Sequence, residues 1–220
     1  MNLHLYEELL LLALRDQKGT ITGTWYKQAI GAAVLAELLL EERLVLAQDG
    51  KRVGIQSSHP LGDALIDDCL DLVARHEKPL NLDRWLSKFA NQPQLVARAA
   101  EDLVTKGVLS EQKSRILWVF ESLRYPELNH EPERLLLERL ERVIFGPPTE
   151  VDARTAIVIS LAHRTGILGQ VFDKKELKAR KQHIEAIIAG ERLGVVVEKV
   201  IQAISAAIMV STVIVPVVIS

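Results

Sequence analysis

Residues 200–220, VIQAISAAIMVSTVIVPVVIS, form an apolar stretch that contains no charged side chain. The stretch is long enough to span a bilayer, but it contains Gln202 and Ser205, and Pro216 lies near its end. A helix that is apolar all round is also what the centre of a helical bundle requires. We therefore predict a buried core helix around which the other helices assemble, with a membrane-inserted tail as the alternative. From about Ser211 the density of Val and Ile favours an extended conformation.

The composition is that of an ordinary globular protein. Hydrophobic residues make up 48% of the 220 residues and charged residues 25%, so one compact domain over residues 1–220 is expected. The formal net charge of -2 lacks the basic excess typical of nucleic-acid-binding proteins, which argues against nucleic acid as a partner. The single Cys69 and the absence of a basic run before the first apolar residues favour a reducing, cytoplasmic location over secretion.

The spacing of apolar residues predicts a mainly α fold. Two β-hairpins are expected, over 44–55 with a turn at Asp49-Gly50, and over 108–120 with a polar turn at 111–114. Helices are predicted over 3–15, 27–42, 63–76, 81–89, 94–106, 131–145, 152–165 and 174–189, with a closing helix from about residue 192. The expected architecture is a single-domain helical bundle with two small β-hairpins and a buried C-terminal helix.

Two segments, 36–44 and 100–108, are each predicted to be a helix that runs directly into a hairpin. That is the layout of a winged helix, which many DNA-binding proteins use. The helices that precede the two hairpins are apolar or acidic, whereas a recognition helix is expected to be basic. We therefore favour a purely structural role for both units, with a winged-helix nucleic-acid binder as an alternative.

The sequence offers no catalytic constellation, no metal-ligand spacing and no cofactor motif. Adjacent residues of a helix do not face each other, so Glu7-Glu8 and Asp67-Asp68 are interpreted as solvated helix faces and not as acid–base pairs. His163 lies in an apolar run and is expected to be buried and bonded to a backbone carbonyl. We predict that the protein acts by binding and not by catalysis.

Two features favour binding. Trp25 follows a polar segment, where an indole can lie at the head-group level of a bilayer or fold back onto the core. Five cations fall within eight residues and would attract phosphates or anionic lipid. We call these five the basic surface: Lys174, Lys175, Lys178, Arg180 and Lys181.

Five segments in order resemble the Golgi phosphoprotein 3 family of phosphoinositide-binding adaptors, which includes bacterial members. The segments are LYEELLLLALRD at 5–16, GAAVLAEL at 31–38, PLGDALID at 60–67, LVTKGVL at 103–109 and ISLAH at 159–163. The resemblance extends from about residue 3 to residue 209. It implies a helical domain with a buried C-terminal helix, peripheral attachment to membranes through phosphatidylinositol 4-phosphate, and no enzyme activity. Eukaryotic members bind the cytoplasmic tails of glycosyltransferases.

The resemblance also implies a lipid site. The family's tryptophan falls close to Trp25, and the three arginines of its pocket fall on Gly31, Pro93 and Val96, with Arg98 nearby. We therefore predict Trp25 and Arg98 as lipid-binding residues and anionic phospholipid head groups as ligands, with protein partners also expected. The alternative is an interaction scaffold that has lost the lipid pocket. The segment that forms a self-association hairpin in eukaryotic members is short here, at 169–175, which resembles a bacterial member.

Overall fold

The computed structural model of the chain describes residues 2–15, 19–21, 24–116, 120–147, 150–190 and 195–213. Within these residues there are eleven helices and three small antiparallel sheets, and the last six elements are all helices. The helices are α1 (Leu5–Ala13), α2 (Tyr26–Leu40), α3 (Ala64–Ala74), α4 (Leu82–Ala90), α5 (Leu95–Thr105), α6 (Glu131–Phe145), α7 (Ala153–Arg164), α8 (Leu168–Val171), α9 (Lys174–Ala179), α10 (Lys181–Ala189) and α11 (Val195–Val213). The strands are β1 (Leu14–Arg15), β2 (Thr20–Ile21), β3 (Leu44–Leu46), β4 (Arg52–Ile55), β5 (Leu80–Asn81), β6 (Gln112–Ile116) and β7 (Phe120–Arg124). The predicted mainly α fold is confirmed.

The centre of the molecule is formed by α1, α2 and α7. Every residue of α1 is buried, and so are residues 29–39 of α2 and 155–162 of α7. Small side chains of α2, such as Ala32 and Ala36, allow neighbouring helices to approach closely, and α1 and α4 pack against it. A single cluster of buried hydrophobic residues extends from Leu3 to Ile208.

The predicted buried C-terminal helix is present as α11, which packs on α2, α4 and α7. Its burial is one-sided: Ile204 and Ile208 are enclosed, whereas Met209 and Val210 are about half exposed. Within the described residues the bundle therefore assembles around α1, α2 and α7, and residues 200–210 pack against this centre on one side instead of forming it as we predicted. From residue 203 to 213 the sequence of α11 contains no charged side chain, on its exposed face as well as on its buried one, which is why composition alone placed it at the centre.

The end of the chain differs in part from the sequence-based expectation. The helix continues through Val213, so residues 211–213 are helical and not extended, while 214–220 lie outside the described residues. Among the described parts of the chain no helix is both long and apolar enough to cross a membrane.

The first predicted hairpin is confirmed by β3 and β4. Leu44 pairs with Ile55 and Leu46 with Val53, and β5 adds a third strand that the sequence did not reveal. The turn follows from its chemistry. The carboxylate of Asp49 accepts hydrogen bonds from the amides of Lys51 and Arg52, at 2.9 and 3.1 Å, and Gly50 adopts a positive φ of 65°.

The second predicted hairpin is present in a different register. Strands β6 and β7 pair Gln112 with Arg124, so the predicted turn at 111–114 is wrong. Val108 and Leu109 are fully buried, and both amides donate to the carbonyl of Leu103. The two residues therefore pack into the hydrophobic core directly after α5 and do not form the first strand of the hairpin.

Further differences concern short elements. The predicted helix over 174–189 is two helices, α9 and α10, which are separated at Arg180. Helix α10 buries Ile184, Ile187 and Ile188, whereas α9 buries none of its residues. The single-turn α8 and the β1–β2 pair were not predicted.

The structure argues against the winged-helix alternative. The helix before the first hairpin, α2, is enclosed over residues 29–39 and cannot enter a groove of DNA. The helix before the second, α5, buries Leu95, Ala99, Ala100 and Leu103.

Candidate functional site

A cavity of about 370 Å³ lies between the segment after α1, the start of α5 and strand β7. Val96, one of the three positions at which the resemblance places a pocket arginine, forms part of its wall. None of the side chains that line it is charged: Gly19, Thr20, Ile21, Val96, Ala97, Leu123 and Tyr125. Because phosphate recognition depends on charge-assisted donors such as arginine, this wall favours an apolar occupant over a phosphate.

Gly31, the second of the three positions, lies where α2 crosses α4. A Cβ atom at position 31 would be 2.7 Å from the backbone nitrogen of Ala90 and 3.0 Å from its Cα. Real Cβ atoms essentially never approach a backbone so closely, so any side chain here would force the two helices apart. Position 31 therefore serves helix packing and has no room for an arginine.

Pro93, the third position, is exposed just before α5, and Arg98 lies one turn into that helix. Nη2 of Arg98 donates to the carboxylate of Asp68 at 2.7 Å and to the carbonyl of Ala64 at 3.0 Å. These bonds tie α5 to α3, and the Arg98 side chain is 24% exposed. Its role in binding lipid stays a prediction.

Trp25 is the residue that precedes α2, and its carbonyl accepts the amide hydrogen bond of Ala29 at 3.0 Å. Trp25 is half-buried. This exposure is intermediate between the two arrangements expected from the sequence, an indole at the head-group level of a bilayer and an indole folded back onto the core. The indole thus keeps part of its surface available to a ligand while the rest contacts the protein.

All five side chains of the basic surface are exposed. Asp173 caps α9 through the amides of Lys175 and Glu176, which fixes the helix on which three of the lysines lie. The guanidinium of Arg180 donates to the carbonyl of Phe145, so it ties the start of α10 to the end of α6. The structure therefore presents the five predicted cations to solvent on two adjoining short helices.

The sequence-based interpretation of Glu7 and Glu8 as solvated is wrong. Glu7 is fully buried and accepts two hydrogen bonds from Nζ of Lys106, at 2.6 and 2.7 Å. Glu8 is 7% exposed and accepts a hydrogen bond from Nη2 of Arg139 at 2.6 Å. The sequence suggests a surface feature because the Lys and Arg partners of the two adjacent acids lie about 100 residues or more away along the chain.

A third buried acid, Glu37, links α2 to α1 and α7. It accepts hydrogen bonds from the guanidinium of Arg154 at 2.5 and 3.2 Å and from the amide of Leu5 at 2.8 Å. Burial alone would raise the pKa of Glu37, but the bonds from His4, Arg154 and Leu5 outweigh burial and hold it at about 2. The bond to Glu37 in turn raises the pKa of His4, against the opposite effect of burial.

Tyr6 completes this polar interior. Its hydroxyl lies 2.6 Å from Oδ2 of Asp63 and 2.6 Å from Oδ2 of Asp102, and burial raises its pKa above the usual range. The interior acids and their partners connect α1 to α2, α3, α5, α6 and α7, so they position α1. Their saturation by partners within the chain is typical of a structural network and not of an acid–base site.

His163 is half-buried and its Nε2 lies 3.8 Å from a carboxylate oxygen of Glu185. Burial lowers the pKa of His163, although the nearby Glu185 opposes this effect. The expected fully buried histidine bonded to a carbonyl is therefore not what the structure shows.

Comparisons with known proteins agree with this fold. The model of the family described as Golgi phosphoprotein 3 (GPP34) matches residues 5–204. The chain is 24% identical over 213 residues to vacuolar protein sorting-associated protein 74 of Eremothecium gossypii, with 81% of this chain covered. It spans about 64% of the length of that relative. The family match covers every helix from α1 to the middle of α11, and the chain therefore belongs to the Golgi phosphoprotein 3 family.

Proposed function

We propose that the protein is a non-enzymatic, peripheral membrane protein that binds anionic phospholipid head groups from the cytoplasmic side. The exposed basic surface, on a chain of this family, is the observation that carries the proposal. Each Lys or Arg near an anionic membrane contributes about 1 kcal/mol to the free energy of binding. The five cations therefore favour membrane binding even though the carboxylates of Asp173 and Glu176 oppose it.

Within this proposal, phosphatidylinositol 4-phosphate is the ligand that the family resemblance implies, and Trp25 and Arg98 are its predicted contacts. Three observations favour attraction by charge over an arginine-lined pocket. Position 31 has no room for a side chain, Val96 lines a charge-free wall, and Arg98 is already bonded to Asp68. We therefore expect binding to follow the charge density of the membrane more closely than the identity of the head group.

Co-sedimentation with vesicles tests this function. Vesicles of phosphatidylcholine alone, with phosphatidylserine, and with phosphatidylinositol 4-phosphate at matched total charge should give weak, strong and similarly strong binding. The strong binding should weaken as salt is added, because salt screens surface charges. Equal binding to neutral and anionic vesicles would refute the proposal.

A matched pair of variants locates the contact. Combined Lys174→Ala, Lys175→Ala and Lys178→Ala should weaken binding to anionic vesicles by roughly ten- to a hundred-fold. The control carries the same loss of charge elsewhere, at three other exposed cations, and should bind nearly as the parent does: Lys51, Lys78 and Arg84. Trp25→Ala should reduce binding further if the indole also contacts the head-group layer.

A protein-interaction scaffold is the second candidate function. The charge-free cavity beside Val96 favours it, because its rim residue Leu123 is 45% exposed and an apolar side chain of a partner would fit such a wall. A protein partner that still binds the Trp25→Ala variant but no longer binds Leu123→Asp would support the scaffold. Vesicle binding that is lost in Trp25→Ala but kept in Leu123→Asp would support the lipid site.

A further inference from the structure

Lys181, the last cation of the basic surface, is the first residue of α10. Glu185 follows one helical turn later, so the two side chains lie on the same face of the helix. This face is directed toward the end of α7, where the carboxylate of Glu185 lies close to His163 and Arg164. We call these four residues, which two helices bring together, the α7–α10 cluster.

The charges of the cluster act on His163. Burial is the main reason that the pKa of His163 lies below its usual value of 6.5, and the positive charges of Arg164 and Lys181 lower it further, against the effect of Glu185. The ring is therefore mostly neutral at neutral pH and is held between cations of both helices. An anion placed beside it would favour the protonated, donating form.

Glu185 satisfies its neighbours only loosely. Its Oε2 lies 3.4 Å from Nη2 of Arg164, and its Oε1 lies 3.8 Å from Nε2 of His163. Charge-assisted bonds of this kind are normally about 2.7–2.9 Å long, and the exposed pair of Arg134 with Glu138 reaches 2.6 Å. In addition, Nε of Arg164 is buried and has no hydrogen-bond partner among the described residues. The protein itself therefore does not saturate this guanidinium.

The helix macrodipoles explain only part of the arrangement. Cations in the last turn of a helix are favourable, which accounts for His163 and Arg164 at the end of α7. A cation at the first position of a helix is unfavourable, because the first amides carry a partial positive charge. Lys181 occupies that position in α10. A bound anion would compensate both the ammonium of Lys181 and the cations of α7.

We propose that Arg164, Lys181 and His163 bind a phosphate group, and that Glu185 occupies their donors only while no phosphate is bound. This inference rests on the proposed function and assigns to it a defined site for the phosphate of an anionic head group. The oxygens of a phosphate accept several hydrogen bonds at once, and the guanidinium fork of arginine matches them in pairs. Glu185 offers only two oxygens, so it meets fewer of the same donors.

An exchange of one cation for another distinguishes a phosphate site from general attraction by charge. Arg164→Lys keeps the charge and removes the guanidinium fork, so it should weaken binding to vesicles of phosphatidylcholine with phosphatidylserine about five- to ten-fold. The control Arg180→Lys makes the same exchange on the basic surface outside the cluster and should bind within about two-fold of the parent chain. Equal binding by the two variants, both folded by circular dichroism, would overturn the proposal.

A second pair of variants leaves every cation in place. Glu185→Gln removes the competing carboxylate, whereas Glu176→Gln removes a carboxylate of α9 on the same basic surface. Each substitution removes one negative charge and should strengthen vesicle binding about five-fold through attraction alone. Glu185→Gln should exceed Glu176→Gln by a further three-fold or so, because it also frees the donors of Arg164. Equal effects of the two substitutions would contradict the proposed site.

Proton NMR of the His163 ring identifies the source of the phosphate group. The signal of this ring is the one that is missing from the spectrum of His163→Asn. With short-chain phosphatidylserine below its micelle concentration, the ring should titrate at a higher pH than in the free protein. A rise with the lipid alone would identify the head group as the ligand, and the same rise with inorganic phosphate would add free phosphate.

Two results separate this inference from the proposed function. Vesicle binding by the parent chain, with an unchanged titration of His163 in the presence of both probes, would overturn the inference and leave the proposed function intact. Absence of any vesicle binding by the parent chain would overturn both.

Discussion

Replacing Arg154 by methionine tests whether the buried charges hold the central helices together. Arg154 lies near the start of α7, and its guanidinium donates to both carboxylate oxygens of Glu37 and, at 3.0 Å, to the carbonyl of Leu3. Methionine keeps most of the aliphatic stem of the side chain and removes only the charge and the donors. The Arg154→Met variant would leave the carboxylate of Glu37, which is 2% exposed, without its main cationic partner.

The expected cost is large because the group left behind is buried. Removal of one partner of a buried ion pair typically costs about 3–5 kcal/mol, since the remaining charge is desolvated without compensation. His4 and the amide of Leu5 still contact Glu37, so we place the loss for Arg154→Met near the lower limit, at about 3 kcal/mol. For a chain of this size that corresponds to a fall in Tm of roughly 6–12 °C.

Urea unfolding followed by circular dichroism measures this loss, with two comparisons. Arg134→Met removes an exposed pair, in which Arg134 lies 2.6 Å from Glu138 and both side chains are about half exposed. That control should cost less than about 1 kcal/mol. The double variant Glu37→Leu with Arg154→Met removes both charges and should be more stable than Arg154→Met alone.

Two results would refute the reasoning. The first is a loss for Arg154→Met that does not exceed the loss for Arg134→Met, which would mean that Glu37 is satisfied without Arg154. The second is a double variant whose loss is the sum of the two single losses, because independent sites add whereas partners do not.

Three further predictions follow from the interior. The pKa of Glu37 falls from 4.5 to about 2 on folding and that of His4 rises from 6.5, so both groups should stabilise the fold between about pH 4.5 and 6.5. Acid unfolding should show that the free energy of unfolding decreases by about 3 kcal/mol, because of Glu37, as the pH falls from 4.5 toward 2. Gly31→Ala should destabilise the protein by roughly 1–3 kcal/mol through overpacking, whereas Gly54→Ala, whose Cβ would have no neighbour closer than 3.9 Å, should cost less in the same urea assay. Tyr6→Phe should cost roughly 1–3 kcal/mol in thermal unfolding, because two carboxylates lose their shared donor; an unchanged Tm would contradict the hydrogen bonds.

The helices were predictable where local sequence determines them. The apolar periodicity of 131–145 predicts α6 with the bounds that the structure has, and Asp49-Gly50 specifies the first hairpin. The second hairpin could not be placed, because Val108 and Leu109 have the composition of a strand, whereas in the structure both are buried and bonded to the backbone of Leu103. Which face of α11 is buried likewise depends on its packing against α2, α4 and α7, which are distant in sequence.

The candidate site was predictable in composition and not in geometry. The cluster of cations at 174–181 is a local feature, so its exposure followed from the sequence alone. The Lys and Arg partners of Glu7, Glu8 and Glu37 lie about 100 or more residues away in sequence, and no local pattern shows that these acids are buried. Similarly, the tight approach of Ala90 to Gly31 depends on the packing of two helices.

Folding explains the residues of the central helices but not those of the basic surface, and for this reason we place the proposed function on the basic surface. The central helices are enclosed, and their acids are bound to partners within the chain, so packing and internal hydrogen bonds already account for their residues. Helix α9 buries none of its residues, and its lysines are not required for a core. Placing several like charges on so short a surface is mildly unfavourable for folding. Folding therefore does not explain this cluster of cations, and the proposed binding to an anionic surface is the hypothesis that does.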